Sequence, residues 1–407
     1  MEFITDSIFI IWLYFIFRLA GRDFFHPAFL LTLIWFFGIL ACDFSGYFYS
    51  PTDVSRLIIL FFVFLSSGFG LTSKIFFNHL SKTSKTKIND NKIVVARLNI
   101  LIVFSIFMCL LYVSSYVTQF ANFDNIAEFF YYARVADLNG EPLVNTGWFV
   151  GQAPALAFIT SLFVVVEIFK QKFTISHYLL GTLLFLTAIS LSITGTRSTL
   201  VIFLLSVFFL IVSVKRPSVK KICILLIIFF VTYSVSTYFM RSSEADKQSL
   251  SLIEIVLNNF VLYIFGGIKG FDIFLNNKIN INHAQIANIL NVKVTESMVF
   301  TKLGPNLEGN VFSAFSVYVY YFGWIGTIVF LSVIFTITGM LYELKDKNEF
   351  LLISSCFATS SVVLMVFHDY FFAFSPYVGR ALILYLFLYK FKKIKITKLF
   401  FHKKIQV

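Results

Sequence analysis

Leu98-Asn-Ile-Leu-Ile-Val-Phe-Ser-Ile-Phe-Met-Cys-Leu-Leu-Tyr-Val-Ser-Ser-Tyr-Val117 runs for 20 residues without a charge. A helix needs about 20 mainly apolar residues to cross the hydrocarbon layer of a bilayer. This stretch therefore reads as a membrane span, and the composition of the whole chain agrees. The 407 residues are 58% hydrophobic and 13% charged, with a mean hydropathy of +0.84. Globular domains carry about 25% charged residues, and no water-soluble core could bury this much Phe, Leu and Ile. Only helices and closed barrels satisfy every backbone group in lipid, and spans of this length are helical. The fold class is an all-α polytopic membrane protein, one integral domain over residues 1–407.

Outward from this span, ten more apolar stretches follow the same logic: Phe3–Phe17, Ala28–Cys42, Leu57–Phe77, Trp148–Phe169, Ser176–Thr194, Thr199–Val214, Ile222–Met240, Tyr318–Leu341, Phe350–Phe367 and Pro376–Tyr389. That makes about 11 transmembrane helices (10–12). Glu2 and Asp6 stand at the start of the first stretch while Arg18 and Arg22 follow it, the reverse of a signal peptide. Alternate connectors fall on alternate sides. The side holding 18–26, 74–97, 170–172, 215–221, 343–349 and the basic tail 390–407 carries 23 of the 33 Lys and Arg residues. By the positive-inside rule that side is cytoplasmic, with the N-terminus outside and the C-terminus inside. The net charge of +12 is thereby explained by topology, with no nucleic acid implied. The tail is expected to anchor on anionic lipid.

Two outer connectors are long: a medium loop over 118–147 and a large segment over 241–317. In the second, Leu250–Asn259 reads as an amphipathic helix. Phe260–Ile268, ending in Gly266-Gly267, is too short to cross. The segment is expected to lie as a cap on the outer face. Only five of 24 lysines lie outside, yet five of nine arginines do: Arg56, Arg134, Arg197, Arg241 and Arg380. Arginine offers a planar fork matched to phosphate and carboxylate. Arg197, in Thr194-Gly-Thr-Arg-Ser-Thr199, Arg241, after Tyr238-Phe-Met240, and Arg380, after Ser375-Pro-Tyr-Val-Gly379, stand near the outer boundary. Arg134 belongs to the medium loop. Singly, each reads as an anchor snorkelling to headgroups; together the four point to an anionic ligand. Glu167, near a cytoplasmic end, and Pro154, a kink, call for no role in a site. Cys42, Cys109, Cys223 and Cys356 have no metal-ligand spacing, and no Gly-rich nucleotide loop, HExxH or zinc pattern occurs. No metal and no cofactor are expected.

Three features in order resemble the bacterial oligosaccharide repeat-unit polymerases, the Wzy-type O-antigen polymerases. They are the outer turn Ser192-Ile-Thr-Gly-Thr-Arg-Ser198; Arg241 after an outward span, followed by Tyr263-Ile-Phe-Gly-Gly-Ile-Lys-Gly-Phe271; and Gly309-Asn-Val-Phe-Ser313 leading through Tyr318-Val-Tyr-Tyr-Phe-Gly-Trp-Ile-Gly326 to Gly339-Met-Leu-Tyr342. They cover Ser190 to Tyr342. An Asp often expected between the Tyr pair and Phe is missing from Tyr320-Tyr-Phe-Gly323.

The resemblance implies a GT-C-like glycosyltransferase of the bacterial inner membrane, active on its periplasmic face. It would join undecaprenyl-diphosphate-linked repeat units into O-antigen or a related surface polysaccharide. Its implied partners are those lipid-linked glycans as donor and acceptor, the lipid bilayer, a chain-length regulator and a flippase. Arg197, Arg241, Arg134 and Arg380 would hold the leaving diphosphate without a metal. Candidates for the base that deprotonates the acceptor hydroxyl are His368 and Asp369 first, then Glu308, with His283 also on the outer face. Tyr131, Tyr132, Trp148 and Tyr370 are available to stack on sugars. Two alternatives remain open: an O-antigen ligase, and a lipid-linked oligosaccharide flippase that does no chemistry.

Overall fold

The computed structural model describes residues 2–81, 91–120, 128–129, 132, 144, 146–170, 177–193, 197–215, 217–248, 252–277, 279–281, 283–292, 301–305, 307–309 and 311–390. Its helices in chain order are α1 Glu2–Leu19, α2 Pro27–Phe44, α3 Asp53–Ser81, α4 Asn91–Phe120, α5 Gly147–Val150, α6 Ala153–Phe169 and α7 His177–Ile193. There follow α8 Arg197–Lys215, α9 Val219–Gln248, α10 Leu252–Asn277, α11 Ala284–Leu290, α12 Ala314–Glu343, α13 Glu349–Leu364 and α14 Phe371–Tyr385, the last continued by a π-turn over Leu386–Lys390. Each apolar stretch picked out above falls, among the described residues, largely on helix. Among the described residues, six helical segments are long and apolar enough to cross a membrane: Pro27–Phe44, Asp53–Phe76, Ile93–Phe120, Gly147–Phe169, Ala314–Glu343 and Phe371–Lys390. The chain is accordingly a helical, multi-pass type of protein.

Two packed clusters organise the helices. One joins α1–α3 to α10 and α12, through Phe9, Trp35, Phe62, Phe271, Phe315 and Phe335. At its heart Trp35 stacks on Phe315 with centroids 4.4 Å apart, and Phe62 meets the same ring at 5.1 Å. The other joins α4, α6–α8, α13 and α14, through Leu98, Phe158, Phe163, Phe203 and Phe357. Between such helices in lipid the stabilisation comes from dispersion packing, since lipid tails are as apolar as Leu. The link after α13 lies on the seam. Met365 and Val366 belong to the first cluster, Tyr370 to the second, and Phe367 packs on both.

Four local departures from the sequence expectation matter for the site. First, the amphipathic helix and the short apolar run are a single 26-residue helix, α10. Ile268, Phe271 and Phe274 recur three residues apart on its buried face, so the apolar run ends inside a longer helix. Its glycines explain how closely it packs. A Cβ on Gly267 would stand 1.6 Å from the Val366 carbonyl oxygen, and one on Gly270 2.0 Å from that of Val311. Only bare backbone fits there.

Second, the expected kink at Pro154 is a break: α5 ends at Val150, and Pro154 occupies the first turn of α6, where its missing N–H costs nothing. Third, α12 is interrupted at Gly323, with φ 66° and ψ −178°, a conformation open to glycine alone. Fourth, Ser375-Pro-Tyr-Val-Gly379 is helical. Pro376 cannot donate to the Phe372 carbonyl, and the Ser375 hydroxyl does so instead at 2.9 Å. The all-α expectation also needs one correction. Antiparallel strands β1 Thr301–Gly304 and β2 Leu307–Gly309 form a hairpin around Pro305. The hairpin sits against α10 and the 47–49 segment, where the Tyr49 N–H meets the Leu303 carbonyl at 3.0 Å.

Candidate functional site

Asp369 is fully buried at the seam, immediately before α14. Its carboxylate accepts the backbone N–H groups of Phe371 at 3.0 Å and Phe372 at 3.3 Å, and so caps that helix. Two side chains complete its shell. The Tyr318 phenol donates to one oxygen, and His283 Nε2 stands 3.1 Å from the other. The opposite ring nitrogen of His283 accepts the Ile286 N–H at the start of α11. With Nδ1 an acceptor, the proton of a neutral ring sits on Nε2 and points at Asp369.

The first segment of α12 presents Tyr318 and Tyr321 three residues apart on one face. Tyr318 reaches Asp369. Tyr321 donates to the Ile281 carbonyl at 3.0 Å and accepts the His283 N–H at 3.1 Å. Helices α11, α12 and α14 are therefore tied at their starts through one carboxylate. The close approach of α10 at Gly267 and Gly270 fixes the two flanking links, 311–313 and 365–367.

His368 lies beside this assembly, half-buried, its ring 4.9 Å from that of His283. Nδ1 is 3.4 Å from the Phe312 carbonyl oxygen, so Nδ1 carries the proton and donates. Burial above all, with the neighbouring His283, lowers the imidazole to about 4, against the opposing pull of Asp369. At neutral pH His368 is uncharged. Its Nε2 lone pair has no hydrogen-bond partner among the described residues.

The structure thus brings His368, Asp369 and His283 together and adds Tyr318 and Tyr321. Neither tyrosine was singled out by sequence reasoning, although their spacing next to Gly323 was visible. Arg380 is not brought into this assembly by any contact among the described residues. It lies in the tenth position of α14, where it donates to Gln152 Oε1 at 2.6 Å and stacks over Tyr377. Arg56, counted among the outward arginines, is fully buried and clamped bidentately on Asp43, so it is no ligand anchor. Glu308 pairs with Lys302 across the hairpin; only its backbone is described.

Arg197 opens α8 and Arg241 lies near the end of α9, and these helices pack antiparallel, which brings both backbone positions to one end of the pair. Their side chains, Tyr131 and Arg134 lie outside the described residues. Tyr370 is buried against Phe367, whereas Tyr132 and Trp148 are exposed.

A second polar knot stiffens the same face. Burial works against ionisation of Asp272, but hydrogen bonds from Lys269, Ser55 and Thr52 outweigh it and hold the carboxyl below its usual range. Those bonds fasten α10 to the start of α3, with Thr52 and Ser55 hydroxyls both 2.7 Å from Asp272 Oδ1. Among the described residues no group of three or more His, Cys, Asp or Glu is arranged to hold a metal. No protein-family model, no curated protein and no solved structure matches the chain.

Proposed function

We propose that the protein is a glycosyltransferase that polymerises undecaprenyl-diphosphate-linked oligosaccharide repeat units on the periplasmic face of a bacterial inner membrane. The observation that carries this reading is the His368 imidazole, neutral, with a free Nε2, held beside a buried Tyr318–Asp369–His283 brace at the seam of two helix clusters. Its finer topology is eleven spans, N-terminus outside and C-terminus inside, in a GT-C-like arrangement.

In the reaction, a hydroxyl of the acceptor's terminal sugar attacks the anomeric carbon of the donor glycan. The bond to the diphosphate breaks, and the electron pair leaves with the undecaprenyl diphosphate. His368 Nε2 takes the hydroxyl proton. A base with a pKa of about 4 is weak alone. A diphosphate docked nearby favours the imidazolium and so strengthens the base when the donor is present. Arg197 and Arg241 hold the leaving charge, with Arg134 and Arg380 as further diphosphate contacts. Asp369 acts as a positioning residue, since all its acceptor sites face protein donors.

Purified protein in lipid discs, given lipid-linked repeat units, should yield a ladder of products that lengthens one repeat at a time. Movement of the lipid-linked unit across a vesicle membrane without any new glycosidic bond would replace this reading with a transporter. Single transfer to a lipid A core acceptor, without a ladder, would replace it with a ligase.

A further inference from the structure

At the other end of α12 lies a cavity of about 440 Å³. The α1–α2 turn, the inner end of α3, the α8–α9 turn and the end of α12 enclose it. On the positive-inside reading this face is cytoplasmic, opposite the His368 site. Three cations line it, Arg22, Lys74 and Lys345, together with two carboxylates, Asp23 and Asp346.

None of these cations forms an ion pair with a carboxylate among the described residues. Asp23 is already occupied, accepting the Tyr342 phenol at 2.7 Å and the Phe25 N–H at 3.0 Å. Lys74 Nζ touches only the Leu19 carbonyl, at 3.1 Å. Lys345 Nζ lies 3.3 Å above the Tyr342 ring, and burial lowers its pKa. Arg22 is exposed, and no hydrogen bond from its guanidinium occurs among the described residues.

The backbone holds Arg22 at the rim in an uncommon conformation. Gly21 and Arg22 have φ of 75° and 60°, and their N–H groups close the end of α1 on the Arg18 and Phe17 carbonyls. A non-glycine residue in this region is unfavourable, and the sequence nevertheless places the cation there. Pro217 and Ile222, at the start of the 30-residue helix α9, form another wall, so the positive end of that helix dipole adds to the same field. Phe24, Phe25 and Val212 supply an apolar floor.

We propose that this cavity binds one phosphate ester, held by Arg22, Lys74 and Lys345. The lining has a formal charge of +1, suited to a phosphodiester, and the apolar floor suits the glycerol and first methylenes of a lipid. The same phosphate chemistry could arrive in a lipid headgroup or in a soluble ester, and the test separates them.

Protein purified in dodecylmaltoside is titrated with dihexanoyl phosphatidylglycerol, dihexanoyl phosphatidylcholine, glycerol 3-phosphate or inorganic phosphate, and binding is read by native mass spectrometry and thermal shift. Saturable binding of the phosphatidylglycerol, weakened tenfold or more by Arg22→Asn and by Lys345→Gln, is expected. Asn tolerates the left-handed backbone at position 22, so the loss reports charge rather than misfolding; Arg22→Lys should recover part of the affinity. Glycerol 3-phosphate binding as tightly as the lipid would assign the site to a soluble ester. If no phosphate compound binds saturably, or if binding is unchanged in both variants, the proposal is wrong.

Discussion

Replacing Asp369 by Asn tests the brace that holds the candidate site together. The carboxylate accepts four donors on two oxygens: the Tyr318 phenol and Phe371 N–H on Oδ1, His283 Nε2–H and Phe372 N–H on Oδ2. An amide has one acceptor oxygen. Whichever way it is turned, two buried donors meet an NH2 group instead of an acceptor. Each buried donor left unsatisfied costs about 1–3 kcal/mol, so Asp369→Asn should destabilise the fold by about 2–6 kcal/mol. Tyr318→Phe removes a single donor to a charged group and should cost about 1.5–3 kcal/mol. Because both changes act on one network, the double variant should fall short of their sum by about 1 kcal/mol or more. The measurement is unfolding by SDS titration in a fixed dodecylmaltoside micelle, followed by far-UV circular dichroism. A cost below about 1 kcal/mol for Asp369→Asn, or strict additivity with Tyr318→Phe, would refute the shared-acceptor reasoning.

Five further outcomes are expected. His368→Gln should leave SDS stability close to wild type while lowering turnover by about 10²–10⁴-fold, as measured by ladder formation with lipid-linked units; unchanged turnover would remove His368 from the chemistry. In the pH–rate profile, kcat/KM should fall only as pH drops towards about 4, where the lowered His368 becomes protonated, and kcat should fall at a higher pH once the bound diphosphate favours the imidazolium. Stability should move in the same direction: the unfolded chain binds this proton at higher pH, so the fold loses stability as pH falls from about 6.5 towards 4, and a flat thermal-shift profile there would contradict the burial of His368. Arg197→Ala and Arg241→Ala should each lower the rate by about 10²–10³-fold, with Lys restoring part; normal polymer from both Lys variants would make these residues headgroup anchors. Chelation of divalent ions should leave turnover intact, and loss reversed by magnesium would assign the charge stabilisation to a metal.

The helices were legible because apolar runs of this length have one solution in lipid; Leu98–Val117 and Tyr318–Leu341 fall inside α4 and α12, whose ends run two to seven residues further. The cap could not be. Phe260–Ile268 is too short to span a bilayer, but in fact it is the middle of the longer helix α10, whose buried partners are remote in sequence. The same limit governed the site. His368-Asp369 stood out as polar residues beside an apolar run, whereas His283 and Tyr318 gain their meaning only from contacts spanning 86 and 51 residues. Arg56 shows the limit of counting outward arginines: Asp43, thirteen residues earlier, already occupies its fork.

The interruption of α12 at Gly323 also fixes depth. Trp324 to Glu343 supplies 20 helical residues, about 30 Å of rise, which matches the hydrocarbon thickness of a bilayer. The preceding segment folds back beside that span: the Tyr318 ring lies 4.7 Å from that of Phe330, and Phe371, at the start of α14, meets Phe335 at 6.1 Å, so the brace sits below the outer end of the span. For a substrate carried on a polyprenyl tail this is a matter of extraction work. Each methylene withdrawn from lipid costs about 0.8 kcal/mol, so lifting the reacting diphosphate even one helical turn into water would expose several carbons and oppose binding. A site sunk below the outer end of that span lets the tail stay dissolved in the membrane while only the sugar and the diphosphate enter the protein.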